Sequence, residues 1–281
     1  MATNQLFYPF SLVSNISKGH SLPEALDITK QAGFGYVEPA SIYGMCEHFT
    51  PAELNEEFAT SFKEMLEERG LNCYAVSGHV DLTIDSMCDD FIKKVEFAGR
   101  IGASIINTNS GPKQNIEIFY KNMKKVIDVA ERYGVIIGLE SHGDIISTAK
   151  DSVEVFKHFN HPLVRFNYDT GNTLFYSEGT VKIEEDILYG LEYMSYLHLK
   201  DIKIEGNKVR YCCLGEGDVN LTAVLQNIKD NFAKIPVGLE IPVHVKGVFD
   251  NITPTGTPML KKDIYTAVDR SLSFLKQQNY L

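Results

Sequence analysis

Short apolar, β-branched runs alternate along the chain with longer segments of helical period, the pattern that βαβ units and a parallel sheet leave in a sequence. The first run is residues 7–13. The helix after it begins at Ser21, carries Pro23 in its first turn and stops at Gly33. Tyr36-Val37-Glu38 is the second strand, and 51–69 is a helix closed by Gly70. Strands three to eight are read at 71–77, 104–107, 135–140, 163–168, 194–199 and 236–241. Helices fall at 91–101, 116–133, 148–159, 183–189 and 221–227, and 265–275 closes the chain. An insertion at 202–213 reads as a hairpin turning at Gly206-Asn207. Strand and helix alternate throughout, and no low-complexity stretch or linker interrupts them. The pattern predicts one α/β domain over 1–281, a single parallel, eight-stranded (β/α)8 TIM barrel. A doubly wound open sheet is the competing architecture, but no glycine-rich dinucleotide fingerprint follows an early strand.

Length agrees: the chain has 281 residues, and such a barrel typically needs about 250. No apolar run approaches the roughly 20 residues required to span a bilayer, and Met1-Ala2-Thr3-Asn4-Gln5 lacks the basic-then-apolar pattern of a signal peptide. The expectation is a cytoplasmic protein with no membrane partner. A formal net charge of -10 and a pI near 5.3 repel phosphate backbones, so nucleic acid is a poor partner. A small basic pocket within an acidic protein is still compatible with that charge, so phosphorylated sugars stay open. The cysteines number 5 with no CxxC pair, which favours free structural thiols over a disulfide framework or a zinc knuckle.

In a barrel of this kind the active site lies at the carboxyl ends of the strands. Strand five ends Gly138-Leu139-Glu140-Ser141-His142, and strand six ends Asn167-Tyr168-Asp169-Thr170-Gly171-Asn172. Strand seven ends Leu197-His198-Leu199-Lys200-Asp201, and strand eight ends Gly238-Leu239-Glu240-Ile241-Pro242. Glu140, Asp169, His198 and Glu240 thus occupy matching places on successive strands. Each has an ordinary structural reading alone: Asp169 caps the next helix, and His198 is a satisfied core histidine. Their coincidence points to one divalent metal ion. The oxygen-rich set favours Mn²⁺, with Mg²⁺, Co²⁺ or Zn²⁺ also compatible.

These motifs, together with Leu-Gly-Glu-Gly-Asp at 214–218, resemble the xylose-isomerase-like sugar (phosphate) isomerase/epimerase superfamily over essentially the whole chain. The resemblance implies that Glu140, Asp169, His198 and Glu240 are metal ligands and that Glu140 and Glu240 form the acid/base pair. A carbonyl and a neighbouring hydroxyl chelated by the metal would favour proton loss and stabilise the enediolate. Return of the proton to the opposite face is epimerisation, return to the next carbon is isomerisation, and loss of a β-hydroxyl is elimination. The expected activity is a divalent-metal-dependent isomerase or epimerase of a small sugar or sugar phosphate. The alternative is a lyase of the inosose-dehydratase or keto-sugar-eliminase kind. The resemblance also implies a homo-oligomer, a dimer or tetramer. Free-ketose epimerases of the superfamily carry a histidine three residues after the aspartate ligand and an arginine six after the histidine ligand. Here those places hold Asn172 and Ile204, with Arg210 a possible replacement cation.

Side chains two apart on a strand share a face, which directs His142 with Glu140 and Lys200 with His198. The expected substrate contacts are His142, Lys200, His79, Asn172, Glu38 and Asn109. Lys200 has a structural alternative, an ion pair with Asp201 or Glu216. The stretch 107–111, ending in Ser110-Gly111, could bind hydroxyls or an anion. The long connection 242–259, carrying His244, could be a lid or a contact surface. Tyr43, Met45 and Phe49 could line a pocket or a subunit contact. A nuclease resembling endonuclease IV would want more histidine ligands and a basic surface. A non-catalytic sugar-binding subunit would not need the two glutamates.

Overall fold

The computed structural model of the protein describes residues 10–231, 234–249, 251–254 and 256–281. Its barrel strands are β1 (Ser11–Val13), β2 (Tyr36–Glu38), β3 (Ala75–Ser77), β4 (Ile105–Thr108), β5 (Ile136–Glu140), β6 (Val164–Asp169), β7 (Met194–Leu199) and β8 (Val237–Leu239). They form an 8-stranded sheet, every pairing parallel, in the order β2-β1-β8-β7-β6-β5-β4-β3. The seam between β2 and β3 is carried by two isolated parallel bridges, Tyr36 with Asn72 and Ala40 with Ser77. The predicted barrel is borne out. The beginning of the first predicted strand, 7–9, lies outside the described residues.

Around the sheet lie α1 (Leu22–Gln31), α2 (Glu56–Arg69), α3 (Asp85–Ile101), α4 (Ile116–Tyr133), α5 (Ala149–Phe159), α6 (Thr170–Tyr176), α7 (Ile183–Gly190), α8 (Leu221–Asn231) and α9 (Lys261–Gln277). Where these differ from the sequence pattern, a local bond explains it. The second helix starts at Glu56 rather than 51 because Asn55 Oδ1 accepts from Phe58 N at 2.8 Å, while Glu53 is turned back onto Thr50. The short helix α6 was not foreseen: Asp169 Oδ1 caps it by accepting from Asn172 N at 2.7 Å. The inserted hairpin, Asp201–Glu205 with Lys208–Cys212, is present, but it extends into an antiparallel sheet with Val245–Val248 and Asn251–Pro254. Much of the connection read as a long loop is therefore strand. The motif at 214–218 wraps a buried carboxylate, with Gly215 N, Gly217 N and Val219 N donating to Asp201. No helix among the described residues is long and apolar enough to cross a membrane.

The strands divide their side chains by a strict alternation. Leu12, Val37, Val76, Ile106, Ile137, Leu139, Phe166, Leu197 and Leu239 join the large apolar core against the helices. The alternate positions turn to the barrel axis, where only Ala75, Ile105 and Tyr196 form a small separate cluster with Tyr74 and Ile136. Above that cluster the axis is polar: Ser11, Glu38, Ser77, Asn107, Asn167 and His198 are all buried. A register shift between Phe166 and Asn167 keeps β6 in phase with β7, so that Asp169 pairs with His198. The barrel interior is a polar network rather than a greasy plug. Such a network is tolerated only when its groups answer one another.

Candidate metal centre and active site

Glu140 ends β5, Asp169 ends β6, His198 lies in β7 and Glu240 directly follows β8, and all four are buried. One ligand atom from each lies within 4.8 Å of the others. His198 Nδ1 is 3.0 Å from Glu140 Oε2, 3.2 Å from Glu240 Oε2 and 3.7 Å from Asp169 Oδ2.

The opposite ring nitrogen of His198 explains why Nδ1 faces the carboxylates. Nε2 donates to Glu38 Oε1 and Oε2 at 3.0 and 3.1 Å. Glu38 is fully buried and also accepts from Ser77 Oγ (2.7 Å), Asn107 Nδ2 (2.9 Å) and Tyr196 OH (2.7 Å). Burial pushes its carboxyl up, but His198 and the donated bonds outweigh burial and hold it below the ordinary value. A carboxylate behind a ligand histidine orients the ring and raises its basicity. Close approach is possible because β8 carries glycine there: a Cβ at Gly238 would lie 2.7 Å from Glu38 Oε2 and 2.8 Å from His198 Cδ2.

Lys200 reaches into the same cluster. Its Nζ is 2.9 Å from Asp169 Oδ2 and 2.8 Å from Glu240 Oε1, and it donates to Asn172 Oδ1 at 3.0 Å. Asn172 Nδ2 donates to Glu140 Oε1 at 2.8 Å. Glu140 Oε2 accepts from Asn167 Nδ2 and meets His79 Nε2, each at 2.9 Å, while Glu240 Oε1 accepts from Asn15 Nδ2 at 2.8 Å.

Burial favours the neutral form of every charged group here, and the neighbours decide the outcome. At Glu140 burial loses to the charges of His79 and His198, which hold the carboxyl well below the ordinary range. At Glu240 burial loses to Lys200 and His198. Asp169 goes the other way: burial, reinforced by Glu240 and Glu140, lifts it to about 8 in spite of Lys200. His198 and Lys200 are held well above their usual values; burial opposes this, but Glu38 and Glu140 answer the imidazole, and Asp169 and Glu240 the ammonium. His142 is pushed down to about 4, chiefly by burial, and is neutral at physiological pH.

The cluster opens into a cavity of about 320 Å³ whose walls include His79, Asn109, Glu140, His142, Asn172, Lys200 and Glu240. Most of the predicted substrate contacts thus meet at one place. Glu38 does not: it lies beneath the cluster and acts on His198 from behind, since both its oxygens are spent on buried donors. Nor does the expected partner of Lys200 hold, because Asp201 is occupied by backbone amides and Lys200 pairs with Asp169 and Glu240 instead. Arg210 is exposed and lines a separate surface pocket, so it is no replacement cation at this cavity. His244 is buried but absent from the cavity wall, with neither ring nitrogen hydrogen-bonded. Tyr43 and Met45 line the cavity, whereas Phe49 packs among Phe58, Phe62 and Phe97.

Sequence reasoning missed Tyr176, Tyr211, Asn15 and Asn167. Tyr211 stands on the inserted hairpin, next to the arginine singled out there. Strand alternation directs Arg210 and Tyr211 to opposite faces, and that signal could have found it. Tyr176 ends the unforeseen helix α6, and its hydroxyl lies 3.0 Å from His142 Nδ1. The donor set fits a divalent ion. Asp169 Oδ2 is buried and, although 2.9 Å from Lys200 Nζ, lacks the angle of a hydrogen bond. Such an oxygen suits a cation placed among the carboxylates and Nδ1 of His198.

Fold and site together define a barrel enzyme class that gathers carboxylates and a histidine at the strand ends. The chain belongs to the xylose isomerase-like TIM barrel family, whose model matches residues 26–276. Similar solved structures include a D-allulose 3-epimerase from Methylomonas sp. (17% identity, covering 97% of this chain and 98% of that one, TM-score 0.72). A xylose isomerase-like TIM barrel protein from Mycobacterium smegmatis in complex with magnesium aligns at 15% identity over 99% and 98% of the two chains, with TM-score 0.73. A probable 3-DHS dehydratase from Bacillus anthracis aligns at 15% identity over 93% and 98%, with TM-score 0.67. At these identities the likeness is one of fold. No curated protein sequence matches the chain significantly.

Proposed function

We propose that the protein is a divalent-metal-dependent isomerase or epimerase of a small sugar or sugar phosphate, acting by proton abstraction next to a carbonyl. One observation carries the reading: Glu140 and Glu240 present carboxylates to the same cavity, beside Asp169 and His198. Glu140, Asp169, Glu240 and Nδ1 of His198 would hold the ion, with Mn²⁺ favoured by the oxygen-rich set. When bound, it supplies polarisation of a substrate carbonyl and stabilises charge on its oxygen. The chain's own groups do the rest. Asn172, Asn167 and His79 fix the Glu140 carboxylate, Asn15 and Lys200 fix Glu240, and the donated bonds keep both ionised and able to accept a proton. Asn109 Oδ1, buried without a hydrogen bond, is free to accept from a sugar hydroxyl. The D-allulose 3-epimerase of like fold supports this reading.

A second reading, a carbon–oxygen lyase, is favoured by the Tyr176 hydroxyl on neutral His142, a donor on the cavity wall for a departing hydroxyl. Asn172, in place of the histidine of free-ketose epimerases, and the dehydratase of like fold point the same way. The test is solvent-deuterium incorporation across ketoses, keto-polyols and their phosphates, followed by mass spectrometry. A product of unchanged mass formula carrying deuterium supports the first reading, and loss of water supports the second. Turnover that neither brings solvent deuterium into the product nor releases water sinks both. Glu140→Gln and Glu240→Gln should each abolish exchange, because each loses a ligand and a base.

A further inference from the structure

Lys94, on α3, is 1% exposed, yet no ion pair among the described residues involves it. Its ammonium donates instead to two backbone carbonyls, Ser41 O at 2.6 Å and Gly78 O at 3.3 Å. An ammonium taken out of water is costly, and an apolar side chain is often the cheaper occupant of such a place. What the two carbonyls belong to gives the charge a task. Ser41 begins a small hairpin, Ser41–Ile42 with Cys46–Glu47, whose Ile42, Tyr43 and Met45 line the cavity. Gly78 precedes His79, which also lines the cavity and meets Glu140 at 2.9 Å. Tyr43 N donates to His79 O at 3.1 Å, so the two segments also touch directly. The far end of the hairpin is anchored by Phe49 against Phe97, their rings 5.0 Å apart. Phe97 lies three residues beyond Lys94, on the same face of α3. At the tip, by contrast, Tyr43 is 62% exposed.

We propose that Lys94 is a positioning residue: its buried ammonium clamps the 41–47 hairpin to the His79 loop and so sets the stretch of cavity wall that Tyr43 and His79 form. It acts through backbone carbonyls and does not touch substrate. The mechanical part stands without any assumption about chemistry; only its consequence for turnover rests on the proposed function. Burial pushes the ammonium down to about 8, against the charges of Glu47 on the hairpin and Asp90 on its own helix, so the clamp is charged at neutral pH.

Hydrogen exchange of the full chain tests this. In Lys94→Met, protection of amides 41–47 should fall by about tenfold or more while that of α4 is unchanged, because local and global opening separate in exchange. The wild-type protein, corrected for intrinsic rates, should show the same local loss as pH rises from about 7 to 9, through the lysine's titration. Tyr43→Trp adds the only indole to a chain with Trp 0, and its anisotropy should drop in the Lys94→Met background. Unchanged protection of 41–47 in the variant and across the pH series overturns the proposal, as does a loss spread evenly over α3, α4 and the barrel. If Lys94→Met does not fold, the wild-type pH series decides alone. In the deuterium-incorporation assay KM should rise with kcat kept; if no carbohydrate exchanges, the proposed reaction fails while the hairpin measurements still judge the clamp.

Discussion

Replacing Glu38 by Gln probes the support of the proposed metal centre without touching a proposed ligand. The carboxylate accepts from Ser77, Asn107, Tyr196 and His198, all donors. An amide has one acceptor oxygen and must turn its nitrogen toward a donor. Tyr196 is the group that can adjust, since its hydroxyl also meets Ser11 Oγ at 2.9 Å, where either atom can donate. The expected arrangement therefore keeps an oxygen for Asn107 and Ser77 and gives His198 Nε2 a weaker, uncharged acceptor. The imidazole then loses basicity, and the tautomer with its proton on Nδ1 competes for the position that faces the carboxylates. Loss of a partner of this kind typically lowers metal affinity 10–100-fold, which is about 1.4–2.7 kcal/mol at 1.36 kcal/mol per tenfold. Calorimetric titration with Mn²⁺ and with Mg²⁺ measures it, with circular dichroism to show that the barrel persists. A folded Glu38→Gln protein binding within about twofold of wild type would refute the reasoning that Glu38 supports the metal through His198.

Three further outcomes follow from the same geometry. Gly238→Ala should destabilise the chain by about 1–3 kcal/mol through overpacking and weaken metal binding, because its Cβ falls 2.7 Å from Glu38 Oε2; an unaltered Tm and affinity would contradict this. Lys200→Met should bind metal more tightly, because it removes a like charge 2.8 Å from Glu240 Oε1 and 2.9 Å from Asp169 Oδ2, while turnover falls; weaker binding in titration would reverse the assignment. Metal affinity of the chelator-stripped protein should rise with pH through about 8, since Asp169 carries its proton below that value and, like the His198 imidazolium held above its usual range, must release a proton to bind. Titrations in buffers of different ionisation enthalpy would detect the proton, and a pH-independent affinity would rule this out.

The barrel was legible because its two periodicities are local. Runs such as Ile105-Ile106 and Ile136-Ile137, each followed by a segment of helical period, state a strand and a helix without reference to the rest of the chain. The proposed ligands were legible for a related reason: the last inward residue of a barrel strand points at the site whatever its neighbours are, so Glu140, Asp169 and His198 could be read from strand position alone. Elements that depend on side-chain caps or on partner strands were not. The helix α6 hangs on the Asp169 cap, and Val245–Val248 is a strand because the inserted hairpin offers its edge at Lys208–Arg210 on one side and Asn251–Pro254 pairs with it on the other.

Second partners in the barrel axis were illegible for a deeper reason. Glu38 and His198 stand 160 residues apart, and Asn15 and Glu240 stand 225 apart, so nothing local relates them. Position at a rim made Glu38 look like a substrate contact, since a carboxylate at a strand end and one just beneath it have the same sequence signature. β2 stops at Glu38, whereas Glu240 comes after Leu239 ends β8, and Ser11 pairs with both Tyr36 and Gly238. Glu38 and Glu240 are thus each two residues beyond the partners of Ser11, at equal register, and strand position alone does not separate them. What separates them is what fills the axis beside each. Ser77, Asn107 and Tyr196 surround Glu38 with donors, while Glu240 meets Asn15, Lys200 and the open cavity. A carboxylate enclosed by donors is committed to holding its neighbours; one left with an open side is available for chemistry.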